Sequence, residues 1–375
     1  MTTRATRPER FASLDMFRGA TIFLMIVVNT AGAGEPFAQL VHAPWIGFTL
    51  ADLVYPSFLF AVGNAMSFAL TRPMSDAAFL RRLFKRAALI FLLGFLMYWY
   101  PFVTHEPDGS WALKPFAETR VTGVLQRIAL CYLLAGLLAR YLSPRWLVAA
   151  AVALVAGQWV ILLGLSPTGE AFGRYRNAGT SFDLWLIGPQ HLYRRDHGFD
   201  PEGLLGTLPA TANVIAGFLA GVAIQRWGKH MATVTRMTTI GVALVVAALL
   251  LAPVLPIAKK LWTGSFVLLT VGIDMILLGG VIGLVELKGM RAGRDFLQML
   301  GRNPLAIYLF SELLVVTMEL IHVRPDVGLY SWIGETWFQA FAPGPVGSLL
   351  CALAYTLLCC WFGRALDRRG IILKV

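Results

Sequence analysis

"LVHAPWIGFTLADLVYPSFLFAVGN" (Leu40–Asn64) is apolar enough for lipid over most of its length, yet it holds His42 near its start and Asp52 inside it. Charge is costly at a bilayer centre, so ionisable groups in such runs are rare and face the interior of a bundle. Comparable apolar runs recur along nearly all 375 residues, which are 57% hydrophobic and 14% charged, against about 25% charged in an average soluble domain. The expected fold is an all-α integral membrane protein, because in lipid a helix satisfies its own backbone polar groups. Runs of about 20 residues predict a bundle of about ten transmembrane helices, near 16–34, 46–70, 84–101, 121–140, 146–165, 207–226, 237–256, 264–286, 296–321 and 345–363.

The charges set a topology on that bundle. With the N-terminus inside, twenty of the 32 Lys and Arg residues fall in inner segments, among them Arg4, Arg7, Arg10, Arg72, Arg81, Arg82, Lys85, Arg86 and Lys374. Nine fall in outer segments, including Arg194 and Arg195, and Arg18, Arg127 and Arg302 lie within spans. The bias follows the positive-inside rule and predicts that both termini are cytoplasmic. The net charge of +11 is then topological, and no nucleic-acid partner is expected. The first run has no small-residue cleavage site and reads as a retained helix rather than a signal peptide.

Residues 1–375 read as a single transmembrane domain with one long outer loop, 166–206. Its "GRYRNAGTSFDLWLIGPQHLYRRDHGFDPEG" (173–203) is too aromatic for a disordered linker, and so is expected to fold over the outer face. Val327–Ala342 is Trp-rich and amphipathic and is expected to lie in the interface. Cys131, Cys351, Cys359 and Cys360 sit in or at spans without metal-ligand spacing, which makes them packing residues, and no metal is expected. The absence of a glycine-rich phosphate loop, HExxH and GxSxG leaves dinucleotide, zincin and hydrolase chemistry without support.

Polar residues inside the spans form a track. Arg18 and Asn29 are eleven residues apart, which puts them within about 20° on one helix face and roughly 16 Å apart along it. Asp15 lies one turn from Arg18 and is placed to pair with it. If the next helix starts near Trp45, Asp52 is roughly 10 Å inside it, and a loop folded back would bring His42 within hydrogen-bond reach. Gln126 and Arg127, Asp274, and Arg302, Asn303, Tyr308 and Glu312 add polar groups to later spans, with Pro304 freeing a backbone carbonyl. Such a track serves an acyltransferase or a secondary transporter of a sugar or organic anion equally well. The lack of an internal repeat counts slightly against the transporter.

The blocks "SLDMFRGATIFLMIVVNTAG" (13–32) and "HAPWIGFTLADLVYPSFLF" (42–60) resemble the opening of the heparan-α-glucosaminide N-acetyltransferase family of membrane acetyltransferases. "GVLQRIALCY", "GPQHLY", "FDPEGLLGTLPA", "PIAKKLWTGSFVL" and "GRNPLAIY" follow in the family's order, so the resemblance covers nearly the whole chain. It implies a bacterial member in the inner membrane, without the additional luminal domain of the animal enzymes. It further implies acetyl-CoA as cytoplasmic co-substrate and the amine of a glucosamine-type sugar on the periplasmic side as acceptor. The matching catalytic positions are His42, Asn29 and Asp52, with His42 either forming an acetyl-enzyme or acting as general base. Arg18 and Arg86, with Gln126, Arg127 and Asn303, are the expected co-substrate residues; His191, Asp200 and Glu202 are the expected acceptor residues. O-acylation of a surface glycan is the alternative within the enzyme class. The lipid bilayer is the remaining partner, and a homodimer is left open.

Overall fold

The computed structural model describes residues 11–70, 74–105, 110–193, 196 and 198–373. Arg4, Arg7, Arg10, Arg72, Arg194, Arg195 and Lys374, counted above for topology, lie outside the described residues. In chain order the helices are α1 (Ala12–Asn29), α2 (Leu50–Leu70), α3 (Asp76–Trp99), α4 (Val124–Tyr141), α5 (Pro144–Leu165), α6 (Ala178–Leu186) and α7 (Leu204–Trp227). They continue with α8 (Met231–Leu251), α9 (Gly264–Ile282), α10 (Arg294–Arg302), α11 (Pro304–Leu320), α12 (Leu329–Ile333), α13 (Gln339–Phe341) and α14 (Pro345–Arg368). Two small hairpins, Val103–His105 with Trp111–Leu113 and His322–Arg324 with Val327–Gly328, are the only paired strands among the described residues.

Eight of these helices are long and apolar enough to cross a membrane, nine if α10 and α11 count as one bent span. The chain is a multi-pass membrane protein. Ten spans were expected, and the difference lies in α3, whose 24 residues include Arg81, Arg82, Lys85 and Arg86 in the first half. The expected span at 296–321 is broken by 81° between α10 and α11. Pro304 supplies no N–H and disfavours helical backbone at the residue before it, and Asn303 accordingly has φ −128° and ψ 46°.

The second span also begins later than expected. Residues 44–49 are not helical; Gly47 takes φ 124°, and its N–H donates to the Ile257 carbonyl at 2.8 Å. Helix α2 therefore starts at Leu50, and Asp52 lies in its first turn rather than roughly 10 Å inside it. Its Oδ2 accepts from the backbone N–H groups of Ala43 and Thr49, each at 3.1 Å. A carboxylate is favoured there because the first turn of a helix leaves N–H groups without intrahelical partners.

Helices α2 and α7 form the centre, with 67% and 72% of their spans buried, while α5 and α8 at 17% form the lipid-facing rim. Lipid gives helices no hydrophobic reason to associate, so close backbone packing through small residues does much of the work. A Cβ at Gly63 would lie 1.8 Å from the Val214 carbonyl oxygen, and one at Gly217 would lie 1.9 Å from that of Phe60. Only glycine permits that approach of α2 to α7.

The long loop folds back onto the bundle. Asn177 caps α6 by accepting from the Thr180 N–H at 2.9 Å. Asp183 on α6 accepts from the Leu204 N–H at the start of α7, at 3.0 Å. Trp45 donates to the Phe172 carbonyl at 2.8 Å and packs edge-on against Phe199. Within the Trp-rich stretch Val327–Ala342, Trp337 and Phe341 are exposed at 62% and 83%.

Candidate active site

Two pockets follow one another along α1, α2 and α4. The smaller, about 80 Å³, takes Met25, Val28 and Asn29 from the end of α1, Ala51, Val54 and Tyr55 from the start of α2, and Val124 from the start of α4. His42, Glu202 and Lys259 complete it. The larger, about 280 Å³, takes Arg18 from the start of α1, Phe58 to Ala69 from α2, and Leu125, Ile128 and Tyr132 from α4. Arg86 and Ile90 of α3, Arg302, Pro304 and Leu305, and the tail residues Ile372 and Leu373 close it.

In the smaller pocket His42 and Asp52 are hydrogen-bonded, Nδ1 to Oδ1, at 2.9 Å. A carboxylate only accepts, so Nδ1 carries the proton and the Nε2 lone pair is left for chemistry. Asp52 is fully buried, and His42 has 42% of its side chain exposed. Asn29 donates through Nδ2 to Glu312 Oε1 at 3.1 Å, which orients its amide in the same pocket. Glu202 reaches this pocket from the long loop, 166–206, and is tied to Arg120 at 2.6 Å.

The structure separates the other expected residues. Asp200 does not line the pocket: it is 3% exposed and accepts from Arg120, Thr122 and the N–H groups of Tyr193 and Glu202. Burial raises its pKa, but Arg120 and these donors outweigh that and hold the carboxyl below its usual range. Asp200 is a brace for Glu202. His191 points elsewhere, its Nδ1 within 2.8 Å of the Thr119 carbonyl. Sequence spacing grouped all three because they share one loop.

In the larger pocket Arg18 donates to the Gly301 carbonyl at 2.6 Å and pairs with Asp15. Arg86 lies over the Tyr132 ring, 5.3 Å from its centroid. Three expected co-substrate residues are placed otherwise. Gln126 is 2% exposed, set against Gly94, and does not line the pocket. Arg127 faces the opposite end, donating to the Gly203 carbonyl of the long loop at 2.8 Å. Asn303 donates to the Ile371 carbonyl at 2.8 Å and accepts from the Leu373 N–H at 2.9 Å. It holds the tail that forms one wall of the pocket rather than facing the pocket itself.

Lys259 was not singled out from sequence. Its Nζ lies 2.9 Å from His42 Nδ1, 3.1 Å from Nε2 and 3.6 Å from Asp52 Oδ1. Burial lowers its pKa to about 8, with the charges of Asp52 and Glu202 offsetting part of that effect. The signal was the doubled lysine in an otherwise apolar connection, "PIAKKLWTG". Lys260 turns away to Asp196.

The sequence has parallels in known proteins. Residues 10–187 match the family described as heparan-alpha-glucosaminide N-acetyltransferase, catalytic. The heparan-alpha-glucosaminide N-acetyltransferase of Homo sapiens is 26% identical over 366 residues, covering 81% of this chain and 53% of that protein. That of Mus musculus is 25% identical over 374 residues, covering 83% and 55%. The chain is similar to the heparan-alpha-glucosaminide N-acetyltransferases. It spans about half the length of the curated relatives it matches. The stretch matched to the N-acetyltransferase family holds His42, Asp52, Asn29, Arg18 and Arg86, whereas Glu202, Lys259 and the Asn303 clamp come from beyond it. Among the described residues no cluster of three or more His, Cys, Asp or Glu side chains is placed to hold a metal ion.

Proposed function

We propose that the protein is a transmembrane acetyltransferase that uses cytoplasmic acetyl-CoA to acetylate the amine of a glucosamine-type sugar on the periplasmic side of the bacterial inner membrane. The observation that carries this reading is the alignment of the two pockets along α1, α2 and α4, with arginines at one and the His42–Asp52 pair at the other. Arg18 and Asn29, eleven residues apart on α1, are separated by roughly 16 Å, a length a pantetheine arm can bridge.

Arg18, Arg86 and Arg302 suit the anionic head of the donor, because arginine forms charge-assisted bonds to phosphate. The apolar walls of the larger pocket suit the thin arm. Only that arm and a neutral thioester then enter the bundle, so no phosphate is taken out of water into a low-dielectric region. At the smaller pocket His42 Nε2 takes a proton from the acceptor amine as its nitrogen forms the amide bond to the acetyl carbon. The carbon–sulfur bond breaks and the thiolate leaves. Asn29, whose amide is oriented by Glu312, then donates to the developing oxyanion. The buried Asp52 holds the tautomer that makes Nε2 the base.

Oriented vesicles test the reading, with acetyl-CoA on the cytoplasmic face and glucosamine sealed on the other. Acetylated sugar should collect opposite the donor while free CoA stays on the donor side. Product formed only when both substrates share a face would overturn the transmembrane mechanism, and uptake of sugar without acetylation would favour a transporter.

A further inference from the structure

The Asp52 carboxylate alone would work against a proton-accepting imidazole. An anion 2.9 Å from Nδ1 favours the imidazolium, which has no lone pair to offer. Lys259 lies across the ring from that tendency. Its Nζ is within 3.1 Å of both ring nitrogens and 3.6 Å from Asp52 Oδ1. Protonating His42 would therefore place a second cation about one hydrogen-bond length from the ammonium, a repulsion that water screens poorly at a site 15% exposed on the lysine side.

The connection that carries the lysine is held in place. Ile257 accepts from Gly47, and the Ala258 N–H donates to Thr263 Oγ1 at 3.1 Å. The charged groups around the pair come from three elements: Asp52 on α2, Glu202 on the outer loop, and Lys260 beside Lys259. Glu202 is engaged by Arg120 and Lys260 by Asp196. The ammonium is thus left facing the Asp52–His42 pair.

We propose that Lys259 is a positioning residue that offsets the Asp52 charge and keeps His42 neutral, its Nδ1–H on Asp52 and its Nε2 lone pair turned to the acceptor. The inference rests on reading His42 as the proton acceptor. The lowered lysine pKa, about 8, accords with an ammonium that burial makes costly and Asp52 stabilises in part.

Carbethoxylation of His42 by diethylpyrocarbonate reads the neutral imidazole directly. The side chain is accessible at 42% exposure, and the reaction needs no turnover. The full-length protein in detergent is labelled from about pH 5 to 8, across the usual histidine range, and the His42 peptide is quantified by mass spectrometry. Lys259→Met should raise the midpoint by about one pH unit or more, a tenfold gain in proton affinity. Lys259→Arg should keep the wild-type midpoint, and Lys259→Gln serves in place of the apolar variant if that one does not fold. In transfer assays the acid limb of kcat/KM should move up by the same amount. Coincident labelling curves for wild type and the neutral variants would overturn the proposal even in an active enzyme. A shifted curve in a protein that transfers no acetyl group would instead count against the acetyltransferase reading alone.

Discussion

The smaller pocket is walled by charges that already have partners, whereas the larger is an apolar sleeve with guanidinium groups at its rim. His42, Asp52, Lys259 and Glu202 are each held by a contact of 3.1 Å or less to another charged or ionisable side chain. In the sleeve, Phe58, Val62, Met66, Leu125 and Ile128 offer only shape and apolar area, and Arg18 and Arg86 lie at the edge. The contrast matches two physical tasks. Groups that move protons or stabilise charge must be aimed before the reaction, since reorganising them during it costs rate. Holding a flexible arm and an anionic head asks for contact area and charge and tolerates small displacements.

If that division holds, damage to the smaller pocket should appear in kcat and damage to the larger in donor affinity. The largest effect should come from His42→Ala, with kcat falling about 10³-fold, within the range for losing a general base, and donor affinity nearly unchanged. Retention of a tenth or more of wild-type kcat would remove His42 from the chemistry. Next in size, Asn29→Ala should lower kcat about 10²-fold, as for a lost oxyanion donor. A rise in donor Kd of the same size would instead place Asn29 among the binding residues.

Arg18→Ala should reverse the pattern. Donor Kd should rise roughly tenfold, by about 1.4 kcal/mol, and become less dependent on salt, with kcat at saturating donor unchanged; isothermal titration at two salt concentrations measures both. Unaltered affinity would mean that Arg18 serves only to join Asp15 and Gly301.

The smallest expected effect concerns the loop over the smaller pocket. Burial, with some help from the charge of Asp200, raises the Asp183 pKa from 3.8 to about 6, despite the opposing Leu204 N–H and Arg127. The folded protein therefore binds this proton more tightly than the unfolded chain does. Its contribution to stability should fall as pH rises from about 4 to about 6, by on the order of 1 kcal/mol. The difference in melting temperature between wild type and Asp183→Asn, followed across that window, isolates the term. A pH-independent difference would show that Asp183 is charged throughout.

Legibility differed between these regions for a physical reason. On a helix the rise and turn per residue are constant, so the expected common face of Arg18 and Asn29 agrees with the way α1 presents one to each pocket. The pairing of His42 with Asp52 was within reach because only nine residues separate them. The depth of Asp52 was misjudged because the backbone before Leu50 is not helical: Gly47 takes a positive φ, and its bond to Ile257, distant in sequence, holds that conformation. Arg127 and Asn303 were grouped with the co-substrate on chemical type. Which neighbour each meets, Gly203 in one case and the tail in the other, follows from how the helices rotate against one another.

Composition and the spacing of apolar runs determine by themselves that this chain is a membrane-embedded helical bundle with a polar track, because lipid requires backbone satisfaction within each span. The tertiary structure alone decided that Lys259 faces His42, that Arg120 reaches both Asp200 and Glu202, and that Asn303 holds the tail against the larger pocket. These contacts join residues from different elements, so no local periodicity records them. They form only when α2, the outer loop and the connection before α9 are packed at fixed distances.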